Sequence, residues 1–368
     1  MPTLLTVPAP REIRLESVPS EPLGPGQVRL ATLFSGISAG TELATYRGSN
    51  PYLHKRWDAE QRLFQASDTP SLAYPVRNMG YEEVGRVVEL GPGVVAPAVG
   101  DLVYGTWGHR TEAAVDAAWA AARRLPDGLD PLLGIFSHIG SVALNGVHDA
   151  AVRIGDTVAV FGLGVPGQIV AQLARRSGAT VIGVDPLPDR RRLALDLGAV
   201  DLALDPVAGG AAEAIKARTE GRGADVTIEV SGVAAALHEA IRATAYAARV
   251  VALGFFQGTP TGLALGDEFH HNRVSLISSQ ISGVAPEQSY RWDKPRLART
   301  VMALQAAGTL NLRPLVSHVL PFAEAAEAFA MLDAAPESAL QVVLAMAAAP
   351  ATGPVAATGP VAAVGSTT

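Results

Sequence analysis

Cysteine is absent from all 368 residues. Disulfides, thiolate nucleophiles, iron–sulfur clusters and cysteine-ligated zinc are excluded, and with them the small disulfide-stapled secreted scaffold. Charge is sparse as well: 17% of residues are Asp, Glu, Lys or Arg against 48% hydrophobic, the balance of a globular enzyme and not of a disordered chain. The net charge is −6 and no basic run is dense enough to suit a phosphate backbone, so small molecules and not nucleic acids are the expected ligands. No segment reaches the roughly 18 uninterrupted apolar residues of a membrane span. The opening MPTLLTVPAPREIRLE lacks a basic region leading into a sustained apolar stretch and a cleavage site, so a cytoplasmic protein with no membrane partner is expected.

The residues that are present fall into two patterns. From Met1 to about Leu125, short strand-like runs (QVRLATLFSGIS, EVGRVVELG, GDLVYG) are punctuated by Gly and Pro. The turn at Leu90–Gly93 and the following Val99-Gly100-Asp101 separate two strands expected to pair in a small barrel. From about Pro131 to Arg273, apolar strands alternate with Ala-rich amphipathic helices, which implies right-handed crossovers and a parallel sheet. The strand candidates are Thr157–Phe161, Thr180–Val184, Leu202–Asp205, Val226–Val230, Arg249–Leu253 and Leu276–Gln280. The expected fold class is therefore α/β: a β-rich part at 1–130, a doubly wound parallel sheet at 131–273, and a segment at 274–346 that returns to the first part. In that returning segment a helix is expected at Pro295–Ala307, a strand at Leu315–Leu320, a helix at Ala323–Leu332 and a strand at Leu340–Leu344. The stretch 347–368 is low in complexity, with ATGPVA at 351–356 repeated at 357–362, and reads as a flexible tail.

The strongest motif is Gly162-Leu163-Gly164-Val165-Pro166-Gly167, which follows the strand TVAVF and opens the helix expected at Pro166–Ser177. In that context glycine permits the tight bend, the approach of backbone to a pyrophosphate, and close packing of helix on sheet. Pro166 suits a first helical turn, where no amide hydrogen is needed. Asp185 closes the next strand about 20 residues further on, where an acid is expected to accept the ribose hydroxyls. An acid there favours NAD, with NADP the alternative because Arg190, Arg191 and Arg192 lie close. Ser231 and Gly254, each directly after a strand candidate, complete the cofactor-binding set with Arg190.

With those residues in place, Pro2–Leu344 resembles the medium-chain dehydrogenase/reductase family, the zinc alcohol dehydrogenases and their zinc-free relatives. Gly80-Tyr81-Glu82-Glu83-Val84-Gly85 is similar to the family's G-H-E-x-x-G segment, Val99-Gly100-Asp101 to its V-G-D turn, and Gly223-Ala224-Asp225-Val226 through Glu229 and Gly232 to its G-x-D-V-x-x-E-x-x-G strand. The resemblance implies a GroES-like catalytic domain interrupted by a Rossmann domain, with substrate in the cleft between them. It also implies a homodimer or homotetramer, formed through a sheet edge that Leu276–Gln280 would supply. Against the family's G-I-C-G-T-D the chain reads Gly36-Ile37-Ser38-Ala39-Gly40-Thr41-Glu42, so the cysteine position falls on Ser38 or Ala39. The family's histidine ligand becomes Tyr81, and its third ligand falls near Ser137 or His138. No metal is expected, because only Glu82, His138 and Glu42 are left as donors. The wording SGISAGTE resembles the zinc-free branch that contains bacteriochlorophyllide hydroxyethyl dehydrogenase and enzymes of cyclitol or sugar pathways.

The function that follows is hydride transfer between a secondary alcohol or ketone and NAD without zinc. Tyr81 is expected to hydrogen-bond the substrate oxygen, with Glu82, His138, Ser38 or Thr41 polarising it or relaying the proton. The plain alternative for Tyr81 is an aromatic filling volume, and for His138 a packed or capping histidine. His270 and His271 are adjacent and expected in a loop without metal. Ser49–Asp68, with Tyr52, His54, Lys55, Arg56, Trp57 and Phe64, either stacks on a polyhydroxylated or planar substrate or forms a solvated surface helix. Two other readings stay open: an NADPH-dependent reductase of enones or quinones, and a non-catalytic dinucleotide-binding protein.

Overall fold

The computed structural model describes residues 1–347, so all of the expected tail after Ala347 lies outside the described residues. Its centre is a six-stranded parallel sheet in the order Leu202–Leu204, Thr180–Val184, Thr157–Phe161, Ala224–Glu229, Thr244–Ala252, Ser275–Ser278. This is the doubly wound order, in which the chain runs outward from the Thr157–Phe161 strand first to one edge and then to the other. Val158, Ala159, Val160 and Phe161 are all buried, because helices cover both faces and leave no polar side to alternate with. Val184 pairs with Phe161 and Glu229 with Phe161, so the carboxyl ends of the three inner strands share one edge of the sheet. That edge is where a topological switch point opens a crevice.

The expected elements form with shifted ends. The sixth strand, Ser275–Ser278, overruns the boundary expected at Arg273, so the sheet takes in residues assigned from sequence to the returning segment. The helix Lys294–Ala306 then packs on the helix Phe136–Ala150 closely enough that a Cβ on Gly140 would lie 2.5 Å from Val301 Cγ1. His270 and His271 follow a kinked helical turn at Leu265–Phe269 and are themselves helical, not in an open loop.

The second sheet is mixed, in the order Val316–Pro321, Gln341–Ala345, Gln27–Ile37, Glu83–Leu90, Leu102–Gly105, with Glu112–Asp116 also pairing to the long strand Gln27–Ile37. The strand Gln341–Ala345 brings the end of the described chain back beside Ile37 and Ser35, as expected of a catalytic part interrupted by the cofactor sheet. One apolar cluster runs through both units: Leu33, Phe34 and Val84 of the mixed sheet join Val158, Val160 and Ile169 through the buried Leu132, Ile135 and Phe136. Each such side chain contributes about 1.5–3 kcal/mol of burial, which fixes the two units in one arrangement. Among the described residues no helix is long and apolar enough to cross a membrane.

Candidate active site

The glycine motif forms the turn its spacing predicts. Gly162 sits at φ 95°, where a side chain is strained, and Gly164 caps the helix Val165–Arg176 with Pro166 in its first turn. A Cβ on Gly167 would lie 1.9 Å from the Gly162 carbonyl oxygen. The helix start is thus pressed onto the turn, and its free backbone amides make a seat for a pyrophosphate. Leu163 is fully buried as a packing residue, while its N–H donates to Asp185 Oδ2 at 2.7 Å.

Asp185 is placed as expected but is already engaged. It is buried, and its other oxygen accepts from Leu187 N–H at 2.8 Å. A carboxylate has about four lone-pair sites, so this one shapes the turn and retains capacity for a ribose hydroxyl. Arg190 Nη1 stands 4.0 Å from Asp185 Oδ2 and its Nη2 donates to Pro336 O at 3.0 Å, which lays the guanidinium beside the glycine turn. Arg191 donates through Nη1 to the carbonyl oxygens of Asp185 at 2.6 Å and Pro186 at 2.8 Å and pairs with Asp205 at 3.0 Å, while Arg192 pairs with Asp189 at 2.9 Å.

Across the crevice Ser231 closes against Gly162, whose added Cβ would meet Ser231 Cβ at 3.0 Å. The Glu229 carboxylate organises this second turn by accepting from Ser231 N–H at 2.7 Å and Gly232 N–H at 3.1 Å. Gly254 fits there because a Cβ would fall 2.2 Å from Gly232 N. All ten cofactor-binding candidates thus lie in the turns, or in the first helical turns, that follow the first, second, fourth and fifth strands in chain order of the parallel sheet.

The catalytic candidates come together on the mixed-sheet side. The Tyr81 hydroxyl donates to Ser38 Oγ, and the Tyr81 ring lies 4.7 Å from the His138 ring between centroids. Burial, then the charges of Glu82 and Glu42, push the Tyr81 phenol well above its ordinary value, against the opposing hydrogen bonds of Ser38 and Thr41. It is a neutral donor at physiological pH. Burial, then the nearby Lys294 charge, lower His138 to about 4, so its imidazole is neutral too.

Glu82 is close by but turned inward. Its Oε2 accepts from Gln341 Nε2 at 3.3 Å and would sit 2.5 Å from a Cβ on Gly36, while its buried Oε1 has no partner among the described residues. Burial, then Glu42 and Glu83, raise its carboxyl well above the usual range, which favours the protonated form. Sequence spacing placed Glu82 beside Tyr81 but did not show that it belongs to the floor beneath the site.

A further polar residue, His109, carries no motif. His109, on the turn after Leu102–Gly105, binds Glu42 Oε2 through Nε2 at 2.6 Å and Ser35 Oγ through Nδ1 at 2.7 Å. Glu42 in turn accepts from Ser38 N–H at 2.9 Å, which ties the pair to the Tyr81 acceptor. The sequence marks Glu42, the acid four residues after Ser38, as a remaining donor, and offers no signal for His109.

A medium-chain dehydrogenase commonly carries zinc at this place, and the side chains here do not compose a site for it. Among the described residues no three His, Asp or Glu side chains form a group that could hold a metal ion, and the chain has no cysteine. At the head of the cleft stand two neutral hydroxyls, where zinc takes nitrogen, thiolate or carboxylate.

A glycine turn at the switch point of a doubly wound sheet, packed through one core onto a mixed sheet with a buried polar cluster, is the arrangement of a two-domain oxidoreductase. Residues 164–297 match the zinc-binding dehydrogenase family. D-guloside 3-dehydrogenase of Escherichia coli (strain K12) is 32% identical over 345 residues, covering 92% of this chain and 98% of that protein. (R,R)-butanediol dehydrogenase of Bacillus subtilis is 28% identical over 306 residues, covering 74% and 81% respectively. A crystal structure of 2R,3R-butanediol dehydrogenase from Bacillus subtilis superposes with a TM-score of 0.75 at 24% identity, covering 94% of this chain and 99% of that one. A dehydrogenase from Sinorhizobium meliloti, solved bound to NADP, superposes at 0.74 with 24% identity and the same coverage. The chain belongs to the medium-chain zinc-binding dehydrogenase family, with the GroES-like and Rossmann parts of that fold. It is an alcohol oxidoreductase.

Proposed function

We propose that the protein is an NAD-dependent, zinc-independent dehydrogenase that interconverts a secondary alcohol and a ketone on a sugar ring. The observation that carries the reading is the Tyr81–Ser38 hydroxyl pair against the His138 ring, at positions the family resemblance gives to metal ligands. A nicotinamide, when bound, takes hydride from the carbinol carbon. The chain's own task is the hydroxyl proton. In ketone reduction Ser38 turns its own O–H onto the Tyr81 oxygen, which frees the phenol hydrogen to meet the substrate oxygen; in oxidation the alcohol proton passes through Tyr81 and Ser38 to solvent water. Neutral His138 supports the Tyr81 ring without adding a charge.

Asp185 supports NAD: its carboxylate at the end of the second strand opposes a 2′-phosphate, and of the neighbouring arginines Arg191 is held on the Asp185 and Pro186 carbonyl oxygens and Asp205, which leaves Arg190 beside the carboxylate. The sugar substrate is supported by similarity to a D-guloside 3-dehydrogenase over nearly its whole length. It is also supported by an aromatic surface. Ser49–Asp68 is a hairpin, Lys55–Asp58 paired with Leu63–Ala66, and not the surface helix that was its alternative. The Trp57 and Phe64 rings lie tilted against each other at 4.8 Å and Tyr52 meets Phe64 edge-on at 5.2 Å, all three partly exposed. Rings of this kind pack on the C–H face of a pyranose. A homodimer built through the unpaired outer edge of Ser275–Ser278, where Leu276 is exposed, belongs to the same reading.

The test is calorimetric titration with NAD and NADP, followed by turnover of a methyl D-guloside with reduced nicotinamide as the readout. Tighter binding of NAD and formation of the ring ketone are expected from metal-stripped protein. Preference for NADPH with an activated double bond as substrate replaces the reading, and activity that returns only with zinc refutes its metal-free part.

A further inference from the structure

Behind Tyr81 lies a polar chain with more order than a filler needs. Ser35, Glu42, Glu83 and His109 come from four separate segments and are all buried. His109 bridges Glu42 at 2.6 Å and Ser35 at 2.7 Å, and Ser35 Oγ donates to Glu83 Oε1 at 3.1 Å. Glu83 Oε2 accepts from Trp107 N–H at 2.7 Å, so both of its oxygens are held. Burial alone would depress His109, but Glu42 and then Glu83 outweigh it and hold the imidazole above its ordinary value.

This chain reaches Tyr81 by two routes. Through Glu42 it holds Ser38 N–H at 2.9 Å, and Ser38 Oγ accepts the Tyr81 hydroxyl. Through contact it holds the backbone: Gly80, directly before Tyr81, sits at φ 100°, and a Cβ there would fall 2.9 Å from His109 Cγ and 2.8 Å from Glu83 Oε1. Both anchors of the phenol, its acceptor and its main chain, therefore rest on one imidazole. A group held from two sides loses little freedom on reaching the transition state, while displacement by about 1 Å costs on the order of a hundredfold in rate.

We infer that the buried Glu42–His109 pair is the positioning device of the reaction, fixing Ser38 and through it the Tyr81 hydroxyl in the orientation that meets the substrate oxygen. The inference rests on the role of Tyr81 proposed above. His109 touches neither substrate nor cofactor and acts only through Ser38 and Gly80.

The first measurement needs no substrate. In protein labelled with [13Cζ]tyrosine, the Tyr81 resonance is identified by its loss in Tyr81→Phe, and it moves in Ser38→Ala. The same displacement is expected in His109→Gln and in Glu42→Gln, which keeps the length of the side chain but removes its charge. A Tyr81 resonance unmoved by both overturns the inference.

The second measurement is a double-mutant cycle on methyl D-guloside turnover. His109→Gln is expected to lower kcat by about 10- to 100-fold with NAD affinity unchanged, and to cost nothing further in a Tyr81→Phe background. Losses that multiply in the double variant overturn the inference and leave His109 as structural. If His109→Gln fails to fold, Ser35→Ala carries the same cycle, because it removes the Nδ1 partner with little change of volume. Absence of turnover in the native enzyme counts against the proposed substrate, and the tyrosine resonance still decides the pair.

Discussion

A Cβ on Gly167 would lie 1.9 Å from the carbonyl oxygen of Gly162, so the helix start and the turn before it are in direct backbone contact. Gly167→Ala must therefore push the helix Val165–Arg176 off the turn, and flexible neighbours cannot relieve the clash because the atom met is main chain. The expected outcome is loss of NAD affinity by about tenfold or more, with lowered thermal stability. Calorimetric titration and a melting curve check it, and unchanged affinity would show that the turn does not seat the cofactor.

The ribose end gives a second expectation. Because Asp185 also accepts from Leu163 and Leu187 N–H, Asp185→Ser will weaken both nucleotides while relieving repulsion of a 2′-phosphate. The ratio of NADP to NAD dissociation constants should fall by about tenfold, and more so than in Arg191→Ala, whose guanidinium is tied to Asp205. A ratio that does not move would separate Asp185 from cofactor choice.

Removal of the phenol oxygen tests the chemistry itself. Tyr81→Phe keeps the ring against His138 and deletes the donor to Ser38, so kcat should fall by about 100-fold or more while NAD affinity holds. His138→Ala opens a space beside the ring and should cost less in kcat. Equal kcat in all three proteins would return Tyr81 to a packing role.

Much of the cofactor half was legible because its signals are local. The glycines, Pro166 and Asp185 lie within one strand–turn–helix–strand unit, and each residue type is dictated by its own backbone position. The catalytic half depends on register. Ser35 meets Glu83 only because the strands Gln27–Ile37 and Glu83–Leu90 pair there, and His109 arrives from a third segment. No spacing within the sequence announces such a meeting. Likewise the inward turn of Glu82 follows from the missing side chain at Gly36 and from Gln341, which lies more than 250 residues away. The hairpin Lys55–Ala66 escaped because KRWD and LFQA are too short and too exposed to show alternation.

Glu82 carries a pH signature. Its carboxyl is raised above 4.5 in the fold, so the native state keeps a proton that the unfolded chain has already released. Stability from this group is therefore greatest below the ordinary carboxylate range and declines as pH rises from about 4.5 toward the raised native value. Glu82→Gln, which cannot ionise, should be more stable than the native protein at pH ~8, with the gain vanishing near pH ~4. Denaturant titrations at the two pH values check the sign, and a variant that is less stable at pH ~8 would mean that Glu82 is ionised in the fold.

His138 acts in the opposite sense. Its native value of about 4 lies below the ordinary 6.5, so the unfolded chain gains a proton first as pH falls. The contribution is fully present above about pH 6.5 and is lost on the way down to about 4, on the order of 3 kcal/mol in all. His138→Gln should flatten that acid limb without altering stability differences above neutrality. Unfolding midpoints across the interval decide it, and a limb as steep as the native one would assign the acid sensitivity to another group.

The hairpin supplies the last expectation. Trp57 and Phe64 are directly paired across its two strands with their rings 4.8 Å apart, which leaves an aromatic face partly open to solvent. Ser49, a few residues before it, bonds Gln257 of the cofactor unit at 3.1 Å, and Gln257 also donates to Gly40 O at 2.6 Å, so the hairpin's root is pinned where the two units meet. A pyranose seated there would stack on the indole, and stacking contributes about 0.5–1.5 kcal/mol beyond the area it buries. Trp57→Ala should then raise KM for a methyl D-guloside by about tenfold and leave KM for a small acyclic secondary alcohol within twofold. Equal effects on the two substrates would mean that the hairpin supports the fold of the cleft and does not read the sugar.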